Sequence, residues 1–138
     1  MEVVERRGLA RLVARQATSI TIEVLGLTET YDIFKVFEFS SERRMMSVVV
    51  RNRLTRKVHV FSKGAPDSLN ARLGPNSASG AADLKLANQF AAEGLRVLAF
   101  GTRLYAGDEK EGPREEVGAA DVESDLSLVG VTAVEDLL

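Results

Sequence analysis

The chain has 138 residues, 45% hydrophobic and 28% charged, which is room for one domain with a real core and hardly for two. It has no cysteine and one histidine, His59, which excludes disulfides and thiolate metal sites and argues against a zinc site or a histidine-based triad. The net charge of -2 offers no global attraction to nucleic acid or anionic lipid.

No apolar run approaches the roughly 20 residues of a membrane helix. The start of the chain carries no signal-peptide pattern, because Glu2, Glu5, Arg6 and Arg7 interrupt any apolar stretch. Residues 2–7 are expected as the frayed end of a helix, and residues 9–13 as a short strand. Residues 19–25 (S-I-T-I-E-V-L) alternate with a period of two and predict a strand, followed by a turn over residues 26–29. Residues 31–39 alternate again, which puts Ile33, Lys35, Phe37 and Phe39 on one face and Phe34, Val36 and Glu38 on the other. The β-branched run at residues 46–50 predicts a central strand. A hairpin turn at residues 52–55 leads to a returning strand over residues 57–61. Such short connections make an antiparallel meander.

Pro66 and Asp67 suit the first turn of a helix beginning at Ala65. Residues 74–80 (G-P-N-S-A-S-G) form a loop of small residues. Residues 81–93 carry Leu84, Ala87, Phe90 and Ala91 at helical spacing, with Gly94 as the C-terminal stop. Residues 95–104 predict an apolar strand and residues 107–113 a polar loop. A short helix is expected over residues 115–120 and a final strand over residues 126–131. Strands first, then strands mixed with helices, indicate an α+β domain: a twisted antiparallel β-sheet flanked by helices. One domain spans residues 1–138, with no repeat or low-complexity tract.

Charge is unevenly placed. Arg43, Arg44, Arg51, Arg53, Arg56, Lys57 and Lys63 occur without an intervening acid, whereas acids outnumber Lys110 and Arg114 between Asp108 and Asp125. These are either two solvated faces, or part of the basic segment faces an anionic ligand. Three residues could carry the second reading. Phe39 is either core packing or a ring at a strand end that offers a face to a flat ligand. Lys63, before Gly64-Ala65-Pro66, is either a turn residue in water or an anion contact beside a helix start, where Gly64 allows close backbone approach. Arg96, opening an apolar strand, either pairs with an acid such as Glu93 or offers its fork of donors to phosphate oxygens. A hairpin with an exposed aromatic and a terminal lysine suits a purine base with a phosphate tail. There is no G-x-x-x-x-G-K-[ST] loop, no G-x-G-x-x-G fingerprint, no kinase signature set and no D-K-T-G-T segment. A nucleotide can bind, but nothing here is equipped to cleave it.

Four stretches in order carry a family resemblance: F-E-F-S-S-E-R-R-M-M-S-V-V-V, K-G-A-P-D, G-L-R-V-L-A-F and V-G-V-T-A-V-E-D-L-L. They resemble the nucleotide-binding (N) domain of P-type ATPases over residues 15–138. T-S-I-T-I-E-V-L-G, Y-D-I-F-K-V-F-E-F-S-S and G-V-T-A-V-E-D are most similar to the phospholipid-transporting (flippase) class. Ser41 stands where ion pumps usually carry another residue. The resemblance implies that Phe39 stacks on adenine, Ser41 flanks the base, Lys63 lines the adenine pocket and Arg96 lies toward the phosphates. Glu2 is the nearest counterpart of the family's glutamate in D-E-x-A-L-V, although M-E-V-V-E-R-R-G-L is shorter than that pattern. Met45 departs from the usual Arg or Lys, which would remove one charge from the phosphate side.

On this resemblance the chain is an excised fragment, with residues 131–138 beginning the connection to a missing phosphorylation domain. It would bind ATP without turning it over. The parent would be an ATP-hydrolysing phospholipid translocase, a membrane protein with this domain on the cytosolic side. Magnesium would be held mainly by the phosphorylation domain. The partners would be ATP and the phosphorylation, actuator and transmembrane domains of the same polypeptide, not nucleic acid, and the fragment would be a monomer. The alternatives are the N-domain of a cation- or polyamine-transporting P-type ATPase or, from a different class, a protein- or nucleic-acid-interaction module on the basic hairpin.

Overall fold

Among the described residues, seven strands form one antiparallel sheet in the order of the sequence, each paired with the next. The computed structural model describes residues 10–75, 77, 80–105, 112–113 and 115–136. The strands are β1 (Ala10–Arg15), β2 (Ser19–Val24), β3 (Leu27–Ser40), β4 (Met45–Asn52), β5 (Val58–Gly64), β6 (Arg96–Leu104) and β7 (Ser127–Val134). The expected meander extends through every strand. The expected helix over residues 2–7 and most of the polar loop over residues 107–113 lie outside the described residues.

Among the described residues, three helices accompany the sheet: α1 (Pro66–Asn70), α2 (Gly80–Ala92) and α3 (Ala119–Val122). Of these, α2, with 13 residues, exceeds two turns. It packs on β6 and β7. Among the described residues the helical share is smaller than a sheet flanked by helices implies. Gly94 has φ +83 and ends α2, with Leu95 N–H donating back to the Phe90 carbonyl at 3.2 Å. The short helix expected over residues 115–120 forms later, as α3. Asp121 sets its start by accepting from the Gly118 N–H at 3.0 Å.

Two bulges in β3 overturn the simple alternation. Ile33 pairs with Val50 but Lys35 pairs with Val49, so Phe34 is an extra residue. Ile33 and Lys35 therefore face opposite sides. A second extra residue lies between Phe37, which pairs with Ser47, and Ser40, which pairs with Met45. Phe37 packs on the core, while Phe39 is 64% exposed. Each inserted residue shifts the two-residue period by one and sends the following side chains to the other face. The turn expected over residues 26–29 is tighter as well. Leu25 and Gly26 make it alone, at φ 50 and 82, and β3 starts at Leu27.

The register sorts the two faces of the sheet. One carries Met45, Val49, Val58, Val60 and Ala99, all buried. Leu69 of α1, Val122 of α3 and Leu126 complete this core. Lys35 helps hold the covering segment by donating to the carbonyls of Glu115 (2.9 Å) and Val117 (2.8 Å). The other face carries Met46, Lys63 and Phe100 side by side on β4, β5 and β6.

Candidate functional site

The β3–β4 turn spans residues 41–44, and Arg44 adopts φ 57 to close it. Its N–H donates to the Ser40 carbonyl at 2.7 Å, and its own carbonyl accepts from the Ala65 N–H at 3.0 Å. That second bond joins the turn to the corner after β5. It needs a glycine at position 64: a Cβ there would stand 2.6 Å from the Arg44 oxygen and 2.5 Å from Met45 Cβ. The close approach expected at Gly64 is therefore present, and it draws Phe39 and Lys63 toward one space.

That space is a cavity of about 430 Å³ at the end of the sheet where β5 finishes at Gly64. Phe39, Arg44, Met46, Lys63, Val97 and Leu98 line it. Its volume falls within the roughly 300–1,000 Å³ of small-molecule sites. A second hollow of about 240 Å³ adjoins it, sharing Met46 and Lys63 and continuing past Val48, Phe61 and Phe100. Beyond it, His59 stacks on Phe61 with centroids 5.7 Å apart, and Tyr31 meets Phe61 edge-on at 6.5 Å. Burial, and then the charge of Lys57, lower the His59 pKa below its ordinary 6.5, so the ring is neutral at pH 7. Burial, followed by the hydrogen bond to Glu29, raises the Tyr31 pKa.

The structure places the sequence candidates unequally. Phe39 and Lys63 meet in the cavity. Lys63 is not a turn residue, because β5 continues to Gly64 rather than ending at Phe61. The helix after it offers little anion attraction, since α1 has only five residues. Ser41 is exposed in the turn between Phe39 and Arg44 and is not among the lining residues. Arg96 opens β6 two residues before Leu98, hence on the same face, and pairs at 3.1 Å with Asp136 rather than Glu93. Glu2 lies outside the described residues. Met45 is fully buried on the core face, so a charge at that position would not reach the cavity.

Sequence reasoning missed Arg44, Met46, Val97 and Leu98 as lining residues. Arg44 stood out only as one of a basic run. Its left-handed conformation depends on the bulged hairpin and has no mark in the local sequence. Met46, Val97 and Leu98 read as ordinary strand hydrophobics, and only the assembled sheet brings them to the cavity.

Beneath the turn lies a buried ion cluster. The Glu123 side chain is wholly inaccessible and accepts from Arg43 Nη2 at 2.7 Å and from Ser47 Oγ at 3.0 Å. Arg72 Nη1 stands 3.5 Å from its other oxygen. The hydrogen bond to Glu123 raises the Arg43 pKa, against the effect of burial.

Chemically, the cavity offers one aromatic ring, apolar side chains and two cations, Arg44 and Lys63. A flat ring with an anionic tail fits that set. No cluster of three or more metal-ligating side chains occurs among the described residues.

Comparison with known proteins agrees with the fold. The family description "P-type ATPase, cytoplasmic domain N" matches residues 9–73. The chain is 34% identical over 142 residues to Probable phospholipid-transporting ATPase IM of Homo sapiens, covering 91% of this chain and 12% of that protein. It is 31% identical over 144 residues to Phospholipid-transporting ATPase ID of Mus musculus, with the same coverage of 91% and 12%. It is 30% identical over 141 residues to Phospholipid-transporting ATPase IC of Xenopus tropicalis, covering 91% and 11%. The chain thus spans about 12% of the length of the curated relatives it matches. The chain belongs to the P-type ATPases, as a cytoplasmic domain N similar to that of the phospholipid-transporting members.

Proposed function

We propose that this chain binds ATP in the cavity between Phe39 and Lys63. The observation that carries the reading is their convergence on one space of about 430 Å³, although 23 residues of chain separate them. Adenine stacks on the Phe39 ring above Met46 and Leu98. Lys63 contacts the nucleotide, and Arg44 draws the phosphate tail along the edge of the cavity. Ser41 flanks the base from the turn. Arg96 reaches the phosphates from the same sheet face. Its partner Asp136 is a weak competitor, because both side chains are more than half exposed. Glu2 would add a contact from the start of the chain.

In the longer protein this domain holds ATP by its base and carries the terminal phosphate to an aspartate in a separate phosphorylation domain. Its contribution is proximity. Magnesium is held mainly by that other domain. The parent hydrolyses ATP to move phospholipid across a membrane, with this domain on the cytosolic side. The phospholipid-transporting names of the relatives favour that reading over a cation or polyamine pump. The net charge of -2 weighs against a nucleic-acid module.

Titration with ATP, followed by backbone amide NMR, tests the proposal. Saturable shifts clustered at Phe39, Ser41, Arg44, Lys63 and Arg96 are expected. A folded sample without shifts would overturn it.

A further inference from the structure

The ion cluster under the β3–β4 turn lies on the core face, away from the cavity, yet its geometry bears on both cavity residues that the turn carries. Arg43 is the centre. Its guanidinium donates to Glu123 through Nε and Nη2. It also donates to the Glu38 carbonyl at 3.1 Å, to Ser40 Oγ at 3.1 Å and to the Met45 carbonyl at 3.1 Å. One planar group thereby bonds the last residues of β3 and the first residue of β4. Glu38 and Ser40 bracket Phe39 in sequence, and Arg43 precedes Arg44. The side chains of Phe39 and Arg44 leave this clamped turn toward the cavity.

Arg43 must itself be held in place, and Glu123 does this from a distant part of the chain. Its carboxylate follows α3 directly and has no exposure to water. Ser47 fixes one of its oxygens, and Ser47 is in turn bonded to Ser62 of β5 at 2.7 Å. An isolated carboxylate in that position would be costly, so Glu123 and the Arg43 fork stabilise each other.

We infer that Glu123, acting through Arg43, is a positioning residue for nucleotide binding: it locks the β3–β4 turn so that Phe39 and Arg44 face the cavity. The inference rests on the ATP-binding reading above. Without Glu123 the turn gains alternative conformations, and the binding-competent one becomes a fraction of the population.

The test is a double-mutant cycle on ATP affinity, measured by calorimetry well below the melting temperature. Glu123→Gln keeps the shape and one acceptor oxygen but removes the charge. It is expected to weaken ATP about fivefold or more, the scale of coupling between residues of one network. In a Phe39→Ala background the same change is expected to have a smaller effect, because the ring is gone and only Arg44 remains to be positioned. Arg43→Lys, which keeps the charge but loses the fork, is expected to act in the same direction and serves if Glu123→Gln fails to fold. Amide hydrogen exchange at residues 41–44 should quicken in either variant.

A folded variant with a lower melting temperature but unchanged ATP affinity would make the cluster purely structural and overturn the inference. So would an equal loss of affinity with and without Phe39. If the unaltered chain bound no ATP, the parent reading would fail first and this one with it. If it bound ATP through Phe39 but ignored the cluster, only this one would fail.

Discussion

Phe39 leaves most of its ring in water, a cost that an ordinary core phenylalanine avoids. Stacking a base on that face recovers roughly 1–3 kcal/mol. Phe39→Ala is therefore expected to weaken ATP about tenfold, with the fold intact because the ring contributes nothing to the core. Calorimetric titration of the variant checks this, and an unchanged affinity would remove the stacking role. Asp32 bears on stability. It accepts from Arg51 at 3.0 Å and Arg53 at 2.9 Å, tying β3 to the end of β4. Burial pushes its carboxyl up, but the two arginines outweigh burial and hold the pKa below its ordinary 3.8. A depressed carboxyl stabilises the fold above its unfolded pKa, and that stability is lost as pH falls through the folded value. Asp32→Asn should thus cost about 1 kcal/mol at neutral pH and flatten the loss of stability below pH 3.8, as read by chemical denaturation across pH.

Among the elements, the hairpins are where local sequence and fold disagree. A two-residue turn with both residues at positive φ favours Asn-Gly, yet Leu25 occupies the first position at φ 50 and is exposed. The left-handed region costs a branched, non-glycine residue roughly 1–2 kcal/mol. Leu25→Asn is expected to stabilise the β2–β3 hairpin by about 1 kcal/mol, raising Tm by about 3–5 °C. A melt that stays level or falls would contradict that account of the turn. The bulges of β3 have the opposite character. Strict alternation would put Phe39 beside Phe37, in the core. The extra residue turns Phe39 to the other face instead, so the departure from regular pairing brings it to the cavity. The β-branched run of β4 needed no such help: it predicts a central strand, and it forms one with Val49 fully buried.

For the molecule as a whole, the sheet is a frame that brings side chains from distant stretches of the sequence to one cavity. The sequence has no D-K-T-G-T segment, and no cluster of metal-ligating side chains occurs among the described residues. The purified chain is expected to bind ATP without releasing phosphate and without becoming labelled by γ-labelled ATP. Labelling of the chain alone would contradict a binding role that depends on a second domain. The sequence by itself determined the order and type of nearly every strand, since alternation and β-branching report a half-buried surface directly. It also singled out Phe39 and Lys63, because a ring and a cation beside glycine and proline are unusual at strand ends. Only the tertiary structure decided the faces. Two bulges changed the parity of β3, a backbone bond from Ala65 to Arg44 closed the turn over Gly64, and Glu123 reached Arg43 across 80 positions of sequence. Local sequence encodes dihedral preference and burial period, whereas register and long-range ion pairing depend on the assembled sheet.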